Sequence, residues 1–136
     1  MSLYEIWKLQ RRVWAEGPQA CAEHILFDAL ITPPAPMPAL TAKALIASTR
    51  GARPPSNIKF GARTFMQVGD TIVISYIPSA NHPRFKSHYY ARCSTAYVRA
   101  GEIWKVAAHH HTRLSCKAAK NLLSVDAASR ASVDAA

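Results

Sequence analysis

The hydrophobic period of the sequence changes near its middle, and this change limits the possible folds more than any other feature. The segments before it follow helical spacing, whereas from residue 57 onward apolar and polar side chains alternate as in β-strands. Two turn signals, Gly69-Asp70 and Ala100-Gly101, each separate two alternating segments. The pattern predicts two consecutive hairpins and therefore a four-stranded antiparallel meander, over NIKFGARTFMQV, TIVISYI, HYYARCSTAYVR and EIWKVAAHHHTR.

Three helices are predicted before the strands. The first covers residues 3–16, where a capping box in SLYE precedes a mostly apolar helical face. Gly17-Pro18 ends it and starts a second helix over PQACAEHILF. The four prolines of LITPPAPMPAL exclude a central strand and favour an edge or a loop crossing. Thr41 then caps a short third helix that ends at Gly51. Helices that cover one face of an antiparallel sheet define an α+β fold.

Three consecutive histidines lie in the last predicted strand, and the register of the second hairpin assigns their faces. A two-residue turn places Tyr97 opposite Trp104 on a mostly apolar face. Because strand side chains alternate, this register turns His110 toward the core and turns His109 and His111 away from it. The outward face is predicted to carry a largely apolar patch made of Tyr90, Ala96, Val98, Ile103 and Ala107.

A metal site at the histidines is not predicted. His109 and His111 share one strand face about 7 Å apart, as two zinc ligands could. In the predicted register no carboxylate or cysteine lies beside them to complete the site. Cys93 falls on the other face without a neighbouring histidine, so it is interpreted as a small core residue rather than a nucleophile.

The charge balance favours an anionic partner. The formal net charge of +9 arises because only 8 Asp and Glu oppose 17 Lys and Arg in 136 residues, the length of one domain. The basic residues are scattered and form no recognition motif, so nucleic acid is not an expected partner. A membrane is not an expected partner either, because no apolar run approaches the roughly 18 residues that a membrane span needs. Three cysteines without CxxC spacing, and no visible secretory signal, lead us to expect reduced thiols and a cytoplasmic location.

The ending YARCSTAYVRAGEIWKVAAHHHT resembles the SnoaL-like branch, of unknown function, in the nuclear transport factor 2-like superfamily. The shared pattern is a strand ending in arginine, a glycine turn, Trp-Lys-Val, and a histidine-rich stretch that closes in threonine. The resemblance, over residues 3–114, implies a cone-shaped, cystatin-like fold with three N-terminal helices packed on a curved antiparallel sheet. It also implies a pocket between helices and sheet, and a homodimer through the sheet's outer face. Residues 1–114 are assigned to this domain, and residues 115–136 to an Ala- and Ser-rich helical extension.

The same resemblance leaves the function open, because the superfamily contains isomerases, dehydratases, hydrolases and cyclases as well as binding domains. The isomerase and hydrolase chemistries need carboxylates that project from the sheet into the pocket. Here the acids between residues 57 and 113 are Asp70 and Glu102, both in predicted turns. The sequence therefore favours a binding domain for a small anionic or aromatic ligand, without cofactor. The alternative is a cone-fold lyase, isomerase or cyclase.

Candidate residues follow from these two interpretations. The candidate catalytic residues are His110, Asp28 and Tyr97, with the aspartate or tyrosine orienting the imidazole. The candidate ligand-binding residues are Trp7, Trp14, Tyr76, Tyr89, Cys93, Tyr97, Trp104 and His110. A purely structural interpretation stays open for each, because aromatic residues at helix and strand spacing are commonly core residues.

Overall fold

The architecture is a six-stranded sheet with helical segments packed against it. The structure, a computed structural model, describes the backbone of residues 3–135 and the side chains of residues 3–128. Its elements in chain order are α1 (Leu3–Glu16), a 3-10 helix (Pro18–His24), β1 (Ile25–Thr32), β2 (Leu40–Thr41), α2 (Ala42–Thr49), β3 (Ser56–Val68), β4 (Thr71–Asn81), β5 (Tyr89–Ala100), β6 (Ile103–Leu114) and α3 (Cys116–Ala135). None of the described helices is both long and apolar enough to cross a membrane.

The sheet order is β2-β1-β6-β5-β4-β3. Strands β3 to β6 form the predicted antiparallel meander, but β1 joins β6 in parallel and β2 adds an antiparallel edge to β1. The prediction of a purely antiparallel sheet is therefore corrected to a mixed one. The error lies in ILFDALIT, whose first three residues were assigned to a helix. Its Ile and Thr residues favour a strand, and the free edge of β6 gives that strand a partner.

The helices confirm the prediction only in part. Helix α1 has the predicted bounds, while Ser2 of its capping box lies outside the described residues. The second predicted helix is a short 3-10 helix that ends before β1. Helix α2 begins after Thr41, whose hydroxyl accepts a hydrogen bond from the amide of Ala44 at 3.3 Å, as expected of an N-cap. The third α-helix is C-terminal, so three N-terminal α-helices are not present in the described chain.

The turn of the β5–β6 hairpin lies one residue later than predicted. It occupies Gly101-Glu102, and Tyr97 consequently lies opposite Val106 instead of Trp104. The pairing is displaced by two residues, and a displacement by an even number leaves every side chain on its original face. Tyr97 and Trp104 accordingly both lie buried on the inner face of the sheet.

A β-bulge at Ala107 changes the faces of the residues that follow it. The bulge adds one residue to β6, so the alternation of inner and outer side chains is reversed beyond it. Cys93 now lies opposite His111. The predicted faces of the histidines are therefore wrong: His109 and His111 point inward, and His110 is exposed on the outer face.

Helix α3 packs on the outer face of the sheet, against β3 and β5. Ala119 of α3 is fully buried, and the outward-facing Ile77 of β4 is buried as well. Gly61, which pairs with Ile77, is so close to the helix that an added Cβ would lie 2.7 Å from Leu123. The expected C-terminal helix is thus docked on the sheet, while the domain boundary at residue 114 stays a prediction.

Candidate functional site

A cavity of about 610 Å³ lies between the inner face of the sheet and the helical segments. Its walls come from the C-terminal half of α1, the proline-rich loop after β1, α2, the loop between β4 and β5, and the inner faces of β5 and β6. A cavity of this size between layers is the usual place for a small-molecule ligand.

Two inward-facing histidines form the polar part of the cavity wall. Nδ1 of His109 lies 2.8 Å from the hydroxyl of Thr95, its cross-strand neighbour. Nε2 of His111 lies 2.5 Å from the hydroxyl of Tyr89. The centroids of the two imidazole rings are 5.7 Å apart. The ring of Trp14 stacks on that of His111, with 5.5 Å between their centroids. The hydroxyl partners and the stacked indole fix the orientations of both rings.

Burial makes these histidines neutral. It lowers the pKa of His109 to about 3, with further lowering by the neighbouring His111 and His110. It lowers the pKa of His111 to about 4, with His110 as the second cause. A neutral imidazole keeps one donor and one acceptor nitrogen, and it is the form that binds metals.

Cys93 lies directly behind the histidine pair. Its side chain is buried, and its sulfur lies with one nitrogen each of His109 and His111 in a group whose atoms are all within 4.8 Å of one another. Burial raises the pKa of this thiol. The expectation that no cysteine lies beside the histidines is therefore wrong, because the bulge moved them to the face that Cys93 occupies.

A network of tyrosine hydroxyls joins α1 to the sheet beneath the cavity. The hydroxyl of Tyr97 donates to Oε1 of Gln10 at 2.5 Å, and Nε2 of Gln10 donates to the hydroxyl of Tyr76 at 2.5 Å. The indole of Trp14 donates to the same Tyr76 oxygen at 3.1 Å. Burial raises the pKa of both tyrosines, so they stay protonated and act as neutral partners.

The rim of the cavity is positively charged. Arg53, Arg84 and Arg113 all line it, and the guanidinium of Arg113 lies 3.9 Å from the centroid of the Phe85 ring. Within the described residues, Glu16 is the one carboxylate of the lining, and it is paired with Arg12 at 2.8 Å outside the cavity. Among the described side chains none of these three guanidinium groups has a carboxylate partner, so an anion would meet free positive charge here.

Comparison with known proteins decides the fold. No protein-family model and no curated protein matches the sequence. Among solved structures, a proposed ketosteroid isomerase from Parabacteroides distasonis matches with a TM-score of 0.70 and 16% identity, covering 82% of this chain and 86% of that one. A nuclear transport factor 2-like protein from Cytophaga hutchinsonii matches with a TM-score of 0.67 and 16% identity, covering 84% and 100%. The chain has the nuclear transport factor 2-like fold.

A third match shows how widely this fold is used. The CaMKII hub of S. rosetta has a TM-score of 0.66 and 10% identity, and the match covers 80% of this chain and 94% of that one. Identities this low establish the nuclear transport factor 2-like fold of the chain and leave its activity to be argued from the cavity.

Within the nuclear transport factor 2-like fold, the predicted site residues have three different locations. Two of them, Trp14 and Tyr89, line the cavity. Five belong to the core or pack against it, namely Trp7, Tyr76, Cys93, Tyr97 and Trp104. The other two, Asp28 and His110, are exposed and do not line the cavity. The pairing of Asp28 with His110 that the sequence suggested is therefore not formed.

Sequence reasoning missed His109, His111, Thr95 and Arg113 as cavity residues. One register explains the positions of all four, because they belong to the inward-facing side chains of β5 and β6 beyond the bulge. The apolar alternation of β5 could have found Thr95, which lies between the buried Cys93 and Tyr97. It does not find the three β6 residues, because their faces depend on the bulge.

Proposed function

We propose that this chain is a small-molecule-binding domain whose cavity holds an anionic ligand with a flat, apolar body. The proposal rests on the composition of the cavity wall, which contains aromatic rings and guanidinium groups. The one carboxylate among its described lining residues, Glu16, is paired with Arg12 outside the cavity. The basic balance of the whole chain supports the same class of ligand.

Arg113 is the residue best placed to bind the anion. Its guanidinium lies over the Phe85 ring and 5.7 Å from the centroid of the Tyr89 ring, which restricts its motion. A guanidinium can donate two parallel hydrogen bonds to a carboxylate, while the neighbouring rings contact the apolar body of the ligand. The ligand would then lie with its charge toward the rim and its body toward Trp14 and Val106.

Binding of aromatic carboxylates, compared with the corresponding uncharged amides, tests the proposal. We expect calorimetry to show tighter binding of the carboxylates, and Arg113→Gln to weaken it about tenfold or more, because a hydrogen bond to a charged group contributes about 1.5–3 kcal/mol. Arg92→Gln is the matched control, since Arg92 is exposed on the outer face of the same sheet. Equal affinity for acids and amides, or an unchanged affinity in Arg113→Gln, would contradict an anion-binding cavity.

The second candidate function is proton transfer, as in a cone-fold isomerase, lyase or cyclase. It is supported by the hydrogen bond between His111 and Tyr89 at the cavity, and by the name of the Parabacteroides distasonis protein. The pKa of His111, lowered to about 4, argues against it because a general base works best with a pKa near the ambient pH. Exchange of ligand C–H protons with D₂O, followed by NMR, distinguishes the two: a binding domain leaves these protons in place.

The proposal includes a homodimer and a cytoplasmic location. The outer face of the sheet next to α3 leaves Met66 and Val68 exposed, at 59% and 66%, beside Val98 and Ile103. Covering such a patch with a second copy would remove this apolar area from water. All three cysteines are free thiols, which supports a reducing compartment.

A further inference from the structure

We propose that Cys93, His109 and His111 form a binding site for a transition metal ion of the Zn²⁺ class, set into the wall of the cavity. This inference goes beyond the proposed ligand-binding function and does not depend on it. It rests on the grouping of one thiol sulfur and two imidazole nitrogens within 4.8 Å of one another.

The β-sheet geometry brings these three side chains together. His109 and His111 are two residues apart on one strand and therefore project from the same face. Cys93 is the direct cross-strand partner of His111, and side chains of such pairs begin about 4.5–5.5 Å apart at Cβ. The ligand set thus belongs to the central strands of the sheet, which is a more rigid support than a loop.

The neighbouring hydroxyl groups leave one nitrogen of each ring for a metal. The hydroxyl of Thr95 is hydrogen-bonded to Nδ1 of His109, and the hydroxyl of Tyr89 is hydrogen-bonded to Nε2 of His111. Metal-binding histidines typically use their second nitrogen in this way, since the hydrogen bond fixes both the tautomer and the ring orientation. The site therefore has its ligands and the groups that orient them.

The ligand types indicate which ion fits. One thiolate with two imidazoles suits Zn²⁺, or Co²⁺ as its spectroscopic substitute, and excludes Mg²⁺ and Ca²⁺, which require oxygen ligands. Bonds of about 2.3 Å to sulfur and about 2.0 Å to nitrogen place tetrahedral ligand atoms about 3.3–3.6 Å apart. The group must therefore contract from within 4.8 Å when the ion binds, chiefly by rotation of the Cys93 side chain, because hydroxyl partners hold the two rings. Binding exchanges the thiol proton of Cys93 for the metal, and one proton is released to solvent.

Three protein ligands leave the fourth tetrahedral position open. His109 and His111 line the cavity whereas Cys93 lies behind them, so the open position is on the cavity side. Water, or an anionic ligand group, would occupy it there. Structural zinc sites have four protein ligands, whereas sites with three keep a position for exchange, so we assign this site to the second type.

Titration of the purified full-length chain with Co²⁺, without organic ligand, tests the site. We expect one equivalent to produce a thiolate-to-cobalt charge-transfer band and tetrahedral d–d bands, and Zn²⁺ to displace both. In Cys93→Ser the charge-transfer band should disappear, and in His109→Gln the affinity should fall more than about tenfold. The matched controls are Cys116→Ser, at an exposed cysteine, and His110→Gln, at the outward-facing neighbour, and both should behave like the parent chain.

A second set of measurements covers the case in which a core substitution prevents folding. Thr95→Val nearly preserves the volume of the buried threonine and removes the hydroxyl that orients His109. It should retain the cobalt spectrum with about tenfold weaker affinity, as removal of a supporting partner does. Zn²⁺ should also raise the Tm of the parent chain and of His110→Gln. Absence of the charge-transfer band in the parent chain, or its loss in Cys116→Ser with retention in Cys93→Ser, overturns the proposal.

Discussion

Gln10 is a buried amide whose two polar atoms both contact tyrosine hydroxyls. Only 2% of its surface is exposed, and its bonds to Tyr97 and Tyr76 connect α1 with the neighbouring strands β5 and β4. A buried polar group without a partner costs far more than the same group costs at the surface. Together with the bond from Trp14 to Tyr76, Gln10 therefore helps to fix the position of α1 and with it one wall of the cavity.

Replacing Gln10 by Leu should strongly destabilise the chain. The Tyr97 hydroxyl loses its acceptor, whereas the Tyr76 hydroxyl keeps the hydrogen bond from Trp14. At about 1–3 kcal/mol for one unsatisfied buried group, we expect the free energy of unfolding to fall by about 1–3 kcal/mol. Urea denaturation measures the change. Adding Tyr97→Phe to Gln10→Leu should recover part of the loss, because it removes one unsatisfied hydroxyl.

Gln67→Leu provides the control for this substitution. Gln67 is exposed on β3, so the same chemical change should alter the free energy of unfolding by less than about 0.5 kcal/mol. If Gln10→Leu and Gln67→Leu lowered the free energy of unfolding by similar amounts, the hydrogen bonds of Gln10 would contribute little to stability.

At the level of elements, Gly61 sets the distance between β3 and α3. No positive φ is associated with this glycine, so its small size matters here rather than its backbone freedom. The Leu123 side chain occupies the space that a Cβ at Gly61 would need. Helix α3 can approach the sheet this closely because the strand has no side chain at that point.

Gly61→Val should therefore loosen α3. Overpacking costs about 1–3 kcal/mol, and we expect hydrogen exchange of the α3 amides to become faster while that of β5 and β6 stays unchanged. The double variant Gly61→Val with Leu123→Ala should restore slow exchange, because it returns the missing volume. Thr64→Val, on the exposed outer face of the same strand, is the control. Unchanged exchange in Gly61→Val would mean that α3 does not depend on this contact.

Prediction from sequence succeeded where the determinant is local and failed where it is not. The bounds of α1, the cap at Thr41 and the turn after Val68 follow from neighbouring residues, and the structure contains all of them. The bulge at Ala107 has no such signal, because VAAHHH contains neither glycine nor proline and the bulge depends on packing against β5. One unpaired residue was enough to exchange the inner and outer histidines and hide most of the candidate site.

The parallel strand β1 was missed for a similar reason. Its partner on β6 is distant in the sequence, so no hairpin turn marks the pairing. Its first three residues were therefore assigned to the preceding helix and its last three to the proline-rich segment, whereas β1 lies between β2 and β6. Periodicity over so short a segment does not separate a buried strand from a helix.

At the scale of the whole molecule, the outer face of the sheet has two different regions. Helix α3 covers the end that contains Ile77, whereas the other end exposes Met66 and Val68. The docked helix therefore covers only part of the apolar outer face. The uncovered part is where the second copy of a homodimer would bind.

Met66→Glu should therefore shift the chain from dimer to monomer. A charge at the centre of an apolar interface loses its hydration, so we expect sedimentation at micromolar concentration to change from about twice 14.9 kDa to a single chain mass. Val125→Glu, at a position 67% exposed on α3, should leave the mass unchanged. A monomeric parent chain would show that the patch is not an interface between copies.

The parallel pairing of β1 with β6 also affects the order in which the chain can fold during synthesis. The meander β3–β6 needs only contacts between neighbours in the sequence, but β1 has no sheet partner other than the two-residue β2 until β6 has left the ribosome. Through most of translation, ILFDALIT is thus an unpaired apolar segment with high strand propensity, the type of segment that associates with other chains. Slower synthesis would prolong that exposure, whereas the completed sheet ends it.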